Sequence, residues 1–244
     1  MLEGGHGPGV PDDLVLSRAA GGAVDGLAHF GAQLVLAADG EEVVAALAAE
    51  LRKHRAPRSF VGPKPAVDAL WERLRDRHPR PSIVRAAQPV YALTPPELRF
   101  AGGDVEVRRA RDEDAPVIAE HSARMILGEL GYDPRANRPA FTAAVRRAIA
   151  LGLWWVWIVD GRLRFQLNVG PRTRATAQLQ GVWTPPEQRG NGYATRALAG
   201  IARRLFATEA SLSLYVNDFN RPAIALYERL GFSRVGTFST LLFP

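Results

Sequence analysis

Cysteine is absent from this chain of 244 residues. That excludes disulfides, thiolate metal ligands and any reaction through a cysteine acyl-enzyme. The five histidines, His6, His29, His54, His78 and His121, show no H-x-x-x-H or H-x-E spacing, so no metal is expected. No apolar run reaches 18 residues, and Met1–Asp13 is glycine-rich with no charged-then-apolar signal pattern. A soluble, cytoplasmic chain with no membrane association is the expectation, its first 13 residues frayed. Clusters of one charge sign are also missing. Lys and Arg total 31 against 25 Asp and Glu, a net charge of +6, but the charges are scattered. The pairs Arg146-Arg147 and Arg203-Arg204 fall in helical sequence and read as solvated faces. With no aromatic platform beside them, nucleic-acid binding is not expected, and a polyanionic small molecule is a sufficient partner for the charge.

Hydrophobic residues make up 47% of the chain, enough for real cores, and its length suits two modest domains. Turn-forming residues from Pro95 to Asp104 mark the seam, dividing a flexible 1–13, a small α/β domain over 14–103 and a second domain over 104–244. In the first, Leu34–Ala38 reads as a buried strand and Glu41–Arg55 as a helix with Val44, Leu47 and Leu51 on one stripe. Phe60–Pro63 reads as a short strand and Ala66–Arg77 as a second amphipathic helix. Ser82–Leu93 is extended, and Pro89 argues for an edge or a break. In the second domain Val105–Arg108 alternates as a strand, and helices follow from Asp112 and over Pro139–Ala150. Trp154–Val159 and Leu163–Val169 make a hairpin around Asp160-Gly161. Ala177–Thr184 is a strand and Thr195–Ala207 a helix, and the predicted order over 104–244 is β-α-α-β-β-β-α-β-α-β-β.

Between that strand and that helix lies Arg189-Gly190-Asn191-Gly192-Tyr193-Ala194. Two glycines clear the way for backbone N–H groups to point at one anion, and the helix behind adds its positive end. A dinucleotide fingerprint would need Gly or Ala at 195, where Thr stands, and a P-loop would need Gly-Lys-Ser/Thr. The pattern R/Q-x-x-G-x-G/A is met by Arg189, Gly192 and Ala194, and it resembles the acetyl-CoA diphosphate loop of the GNAT superfamily of N-acetyltransferases.

A second motif carries the same resemblance. Leu214–Asn217 reads as a strand, and Asn220 to Phe232 spells N-x-x-A-x-x-x-Y-x-x-x-G-F, the pattern of the late GNAT helix. The resemblance implies a mixed, mostly antiparallel central sheet flanked by helices, preceded here by the small α/β domain. It also implies acetyl-CoA as co-substrate and transfer of the acetyl group to a primary amine of a small molecule, peptide or protein. Asn220 would face the CoA arm and Tyr227 would protonate the leaving thiolate. The two are seven residues apart, close to two helical turns, and so share a face. Either also has a structural reading, Asn220 as a helix cap and Tyr227 as part of the stripe with Ala223, Leu226 and Leu230. The chain also resembles a group of GNAT proteins that carry an uncharacterised α/β domain in front, on Val61-Gly62-Pro63, Leu70-Trp71-Glu72, Gln180–Trp183, Leu214–Asp218 and Val235–Phe238.

Cofactor contacts are expected from Val182, Trp183 and Thr184 at the strand's exit, from Arg189 through Ala194, and from Asn217 and Asn220. Gly181 would allow a bulge that frees an N–H near Val182 for the oxyanion. No upstream loop repeats the glycine pattern, so a second acetyl-CoA site is not expected. Many GNAT enzymes place a Glu on the strand before the loop. This chain has Gln178 and Gln180, which do not accept a proton, and Glu129 at the end of the first helix is the candidate base, while a relayed water or an amine that arrives already neutral would need no such residue. Glu120 and His121 read as solvent-facing or packed, and Trp154, Trp155 and Trp157 as core rather than as an aromatic cage. The alternative to an enzyme is a CoA-binding sensor or regulatory module, which the missing strand carboxylate keeps open.

Overall fold

The computed structural model describes residues 2–4, 14–30, 33–54, 56–100, 105–173 and 175–244. The chain divides into two compact units. One comprises Met1–Val90, Tyr215–Phe219 and Val235–Pro244, the other Tyr91–Leu214 and Asn220–Arg234. This differs from the expected division at 103/104, chiefly because the C-terminal strand packs with the first unit. The expected seam residues Ala101–Asp104 and most of the expected frayed start lie outside the described residues, and Leu2–Gly4 pairs antiparallel with Val15–Ser17.

The first unit holds a sheet in the order β1 (Leu2–Gly4), β2 (Leu14–Arg18), β3 (Val24–Phe30), β4 (Leu34–Ala38), β5 (Ser59–Pro63), β12 (Ser233–Leu242, entering the unit at Val235) and β6 (Ile83–Leu93). Helices α1 (Glu41–Leu51) and α2 (Lys64–Leu74) turn Val44, Leu47, Leu51, Val67, Leu70 and Leu74 into one core with Leu34, Leu36 and Phe60. That core is completed from the far end of the chain by Leu241 and Phe243, whose ring lies 5.0 Å from Phe60 and 5.6 Å from Trp71. The expected break at Pro89 does not occur. β6 runs through it, and the proline loses only a donor while its carbonyl accepts from Val216 N–H.

The second unit holds β11 (Ser211–Tyr215), β10 (Thr176–Trp183), β9 (Arg162–Arg172), β8 (Trp154–Val159) and β7 (Arg108–Arg109), in that order. Only β10 and β11 run parallel in this series, and the crossover between them is α5 (Tyr193–Leu205). Helices α3 (Ala115–Leu130) and α4 (Arg138–Ala150) bury Ile118, Ala119, Val145 and Ile149 against Trp154, Val156 and Leu163. Asp160 and Gly161, at φ 49° and 68°, make the expected tight turn of the β8–β9 hairpin. The strand expected over Val105–Arg108 shrinks to two residues because Val107 N–H turns back to Val105 C=O. One strand, β12, stands where two were expected after α6 (Arg221–Leu230). Arg203 and Arg204, read as a solvated pair, instead donate to the carbonyls of Phe100 and Val107.

One element order occurs twice along the chain. Three antiparallel strands β2-β3-β4 lead through α1 to a parallel β5, then α2 and β6. Likewise β8-β9-β10 lead through α5 to a parallel β11, then α6 and β12, the last of which belongs to the first unit. The first occurrence has no counterpart of α3 and α4 among the described residues.

The start of α3 depends on Asp114, which is buried, accepts from Arg111 N–H at 2.7 Å and is held by both Arg108 nitrogens at 2.6 and 3.0 Å. Burial alone would raise its carboxyl, but these donors outweigh that and hold it below the ordinary aspartate range. Because the folded value is the lower one, the stability it contributes is complete above the unfolded-chain value of about 3.9 and is lost as pH falls below it. Asp114→Asn should therefore cost about 2 kcal/mol at pH 7. It should also flatten the loss of stability between about pH 4 and 2, measured by urea denaturation at each pH. An unchanged acid slope would remove Asp114 from that role.

Candidate acyl-donor site

The exit of β10 and the start of α5 build the site. β10 pairs with β11 only over Thr176–Gln178, so pairing on that edge ends before Leu179. On the other edge, the β9 register skips between Gln180 and Trp183, and Gly181 sits at φ 58° in the bulge. A tight 3-10 turn over Pro186–Gln188 follows, then Gly190 at φ 80° and Gly192 at φ 70°, which caps α5. Both glycines occupy the left-handed region that side-chain-bearing residues avoid, and the space a Cβ would occupy at either one is open.

The loop is braced from inside. Asn191 Nδ2 donates to the carbonyls of Gln188 and Arg189 at 3.2 Å each. Arg196 donates to Asn191 C=O at 3.1 Å, and Arg189 Nε to Thr184 C=O at 3.2 Å. These contacts consume carbonyls and leave the amides. Among the described residues the N–H groups from Gly190 to Thr195 have no hydrogen-bond partner, the first intrahelical bond being Arg196 N–H to Gly192 C=O. Three guanidinium groups pack on the aromatic rings beside the loop. Arg189 lies 5.0 Å over Trp183, Arg196 lies 5.2 Å over Trp157, and Arg164 and Arg196 lie 5.5 and 5.3 Å over Tyr193. Tyr193 packs edge-on against Trp157, so what it offers the loop is its N–H rather than its ring. Arg164, Arg196 and Trp157 were not legible as site residues, because their approach depends on the pairing of β8 and β9.

α5 packs against α6, which carries the other expected residues. Asn220 caps α6, its Oδ1 accepting from Ala223 N–H at 3.3 Å, which is the structural role weighed for it. Tyr227 is buried between Phe232 and Tyr91, with ring centroids 5.7 and 6.3 Å away, and its hydroxyl has no hydrogen-bond partner among the described residues. Burial, and then the charge of Glu129, push that hydroxyl well above the ordinary phenol range, so it stays protonated. Glu129 is exposed in the last turn of α3. Gln180 and Gln178 are tied to each other at 2.7 Å and offer no base. Asn217 lies in the first unit, buried, its Oδ1 accepting from Gln88, which in turn accepts from Thr240 at 2.6 Å. No group of three metal-ligating side chains occurs among the described residues, and no helix among them is long and apolar enough to cross a membrane.

The corresponding place in the first unit is built differently. β4 reaches α1 through Asp39-Gly40 alone, and the first turn of α1 carries Glu41 and Glu42, which would repel an anion. β4 and β5 pair at Leu34 with Phe60 and at Val35 with Val61, and just beyond, a Cβ at Gly62 would collide with the Leu36 carbonyl oxygen, so the two strands lie close there.

Residues 110–232 match the family model described as Acetyltransferase (GNAT) family. The chain belongs to that family. Residues 14–118 match a domain of unknown function, DUF4081. Among solved structures, a GNAT-family acetyltransferase from Colwellia psychrerythraea is 11% identical with a TM-score of 0.60, covering 95% of this chain and 85% of its own. A GCN5-related N-acetyltransferase from Sphaerobacter thermophilus is 18% identical with a TM-score of 0.57, covering 98% and 84%. A tandem GNAT protein from the clavulanic acid biosynthesis pathway is 16% identical with a TM-score of 0.52, covering 95% and 83%. At these identities the likeness is one of fold. No curated protein matches the chain. The GNAT fold, with its mostly antiparallel sheet flanked by helices, extends over nearly the whole chain.

Proposed function

We propose that this GNAT protein is an acetyl-CoA-dependent N-acetyltransferase that passes the acetyl group to a primary amine by direct attack in a ternary complex. The observation that carries the proposal is the set of unpartnered amides from Gly190 to Thr195 at the positive end of α5, with open space beside Gly190 and Gly192 and with Arg189 and Arg196 bonded to the Thr184 and Asn191 carbonyls. Such a cradle suits a diphosphate, and the corresponding turn of the first unit is short and followed by Glu41 and Glu42. The unpaired edge of β10 from Leu179 to Trp183 offers main-chain groups to an extended pantetheine arm, as an added strand would use them. Val182 and Trp183 fall on that edge, and Thr184 follows it. Asn220 keeps its Nδ2 for the same arm after capping with Oδ1.

Tyr227 supplies a proton to the departing sulfur, its burial keeping the phenol neutral until the step occurs. Glu129, a carboxylate at the negative end of α3, favours approach of an amine as its cation and accepts the proton that makes it nucleophilic. Purified protein should release thiol from acetyl-CoA only when an amine is added, and calorimetry should find one acetyl-CoA site per chain. Tight binding with no turnover across a broad amine panel would leave a CoA-binding module. An absence of binding would end the transferase reading.

A further inference from the structure

The described residues contain seven buried side-chain polar atoms with no hydrogen-bond partner, and four of them belong to the exit of β10 and the elements beside it: Gln166 Oε1, Trp183 Nε1, Thr184 Oγ1 and His121 Nδ1. A buried polar atom without a partner keeps its full desolvation penalty, so such a concentration calls for a partner. Gln166 of β9 and Trp183 of β10 are register partners across the bulge and so lie on one face of the sheet. Gln166 is fully buried, and its Nε2 is fixed by Ser122 of α3 at 3.0 Å. His121 is the next residue of α3, and Met125, one turn further on, approaches the bulge at Gly181. The orphans comprise two acceptors, Gln166 Oε1 and His121 Nδ1, one donor, Trp183 Nε1, and one hydroxyl that can do either. That is the set of partners an internal water requires.

We propose that Gln166, Trp183 and Thr184 hold ordered water beneath the exit of β10, and that His121 accepts through it the proton lost by the attacking amine. The role rests on the transferase reading above and supplies what Gln178 and Gln180 do not. The balance is complete. The nitrogen–carbon bond forms as the carbon–sulfur bond breaks, Tyr227 gives its proton to sulfur, and the nitrogen's surplus proton passes to water while that water protonates His121 Nδ1. His121 and Tyr227 then exchange with solvent. The groups around His121 suit an acceptor. Burial and Arg124 lower its proton affinity below the ordinary histidine value, Glu187 and Glu120 oppose them, and the ring is neutral at pH 7. Arg124 is itself paired with Glu187 at 3.3 Å, and Glu120 with Arg135 and Arg138.

The test is the pH profile of kcat between pH 5 and 9 with acetyl-CoA saturating. The wild type should lose activity on the acid side at the midpoint at which NMR shows His121 titrating. His121→Gln should lower kcat at least tenfold at pH 7, abolish that limb and leave acetyl-CoA affinity unchanged. Trp183→Phe, which keeps the packing and removes one water ligand, should lower kcat severalfold with the limb retained, and it serves if the His121 variant does not fold. His121→Gln with wild-type kcat and an intact limb, or Trp183→Phe with wild-type kcat, overturns the relay while leaving the transferase reading standing. A wild type that binds acetyl-CoA but turns over no amine overturns both.

Discussion

Gly192→Asp should weaken acetyl-CoA binding at least a hundredfold while costing the fold no more than about 1 kcal/mol. The two halves of that outcome have separate causes. Gly192 sits at φ 70°, ψ 9°, where aspartate and asparagine are the least penalised of the side-chain-bearing residues, and no atom lies within 4 Å of the added carbon. As the cap of α5 it makes no side-chain hydrogen bond. A carboxylate there would meet an orphan N–H and favour the helix dipole by about 0.5–1 kcal/mol, which offsets part of the roughly 1–2 kcal/mol of left-handed strain. The same carboxylate would occupy the space assigned to the diphosphate and compete for its amides. At an effective dielectric near 20, a unit charge about 4 Å away amounts to about 4 kcal/mol before screening, and a hundredfold needs only about 2.7. Gly192→Asn has the same shape without the charge and should lose less than about tenfold, so the pair separates charge from crowding. Calorimetry giving the aspartate variant wild-type affinity, with its melting temperature unchanged, would mean that this turn does not hold the cofactor.

How far the sequence could be read follows from which interactions are local. α1, α2, α5 and α6 were legible because each carries its own apolar stripe and a start or stop signal, such as Asn220 before α6 and Gly231 after it. The β8–β9 hairpin was legible because Asp160-Gly161 encodes its turn. The β2–β3 pair was not read, although Gly21-Gly22 turns it, because its inward positions include Ser17 and Gly26 and so alternate weakly. β12 reads locally as part of the second domain, and nothing within it reports that Leu241 and Phe243 complete a core begun more than 200 residues earlier at Val15. The anion cradle was legible for a similar reason. Its glycines and its helix are neighbours in sequence, whereas Arg164 reaches Tyr193, and Gln166 reaches Ser122, only through strand pairing and helix packing. The repeated element order leaves no trace in the loop sequences, since Asp39-Gly40 stands where the second unit has Pro185 through Gly192.

Tyr227→Phe should lower kcat about ten- to a hundredfold with acetyl-CoA affinity nearly intact, toward the low end of what general acid catalysis supplies. The low end applies because the leaving group is a thiol of ordinary pKa about 8.5, which departs without full protonation. Burial and the Glu129 charge also make the phenol a weaker acid than usual. The apolar surroundings that raise the phenol, however, raise a thiolate formed beside it, so the proton still has reason to move late in the step. The direction of the Tyr227 shift fixes the pH dependence. A group held protonated well past pH 10 contributes no decline in rate between pH 6 and 10, and the variant should be slower by one factor across that range. Stability should change little, because the removed hydroxyl has no partner among the described residues and the ring keeps its contacts with Tyr91 and Phe232. A kinetic loss without a melting-temperature shift is therefore what separates an acid from a core residue. Wild-type kcat in the phenylalanine variant at saturating substrates would return Tyr227 to the apolar stripe of α6 and leave the sulfur to depart as the free thiolate.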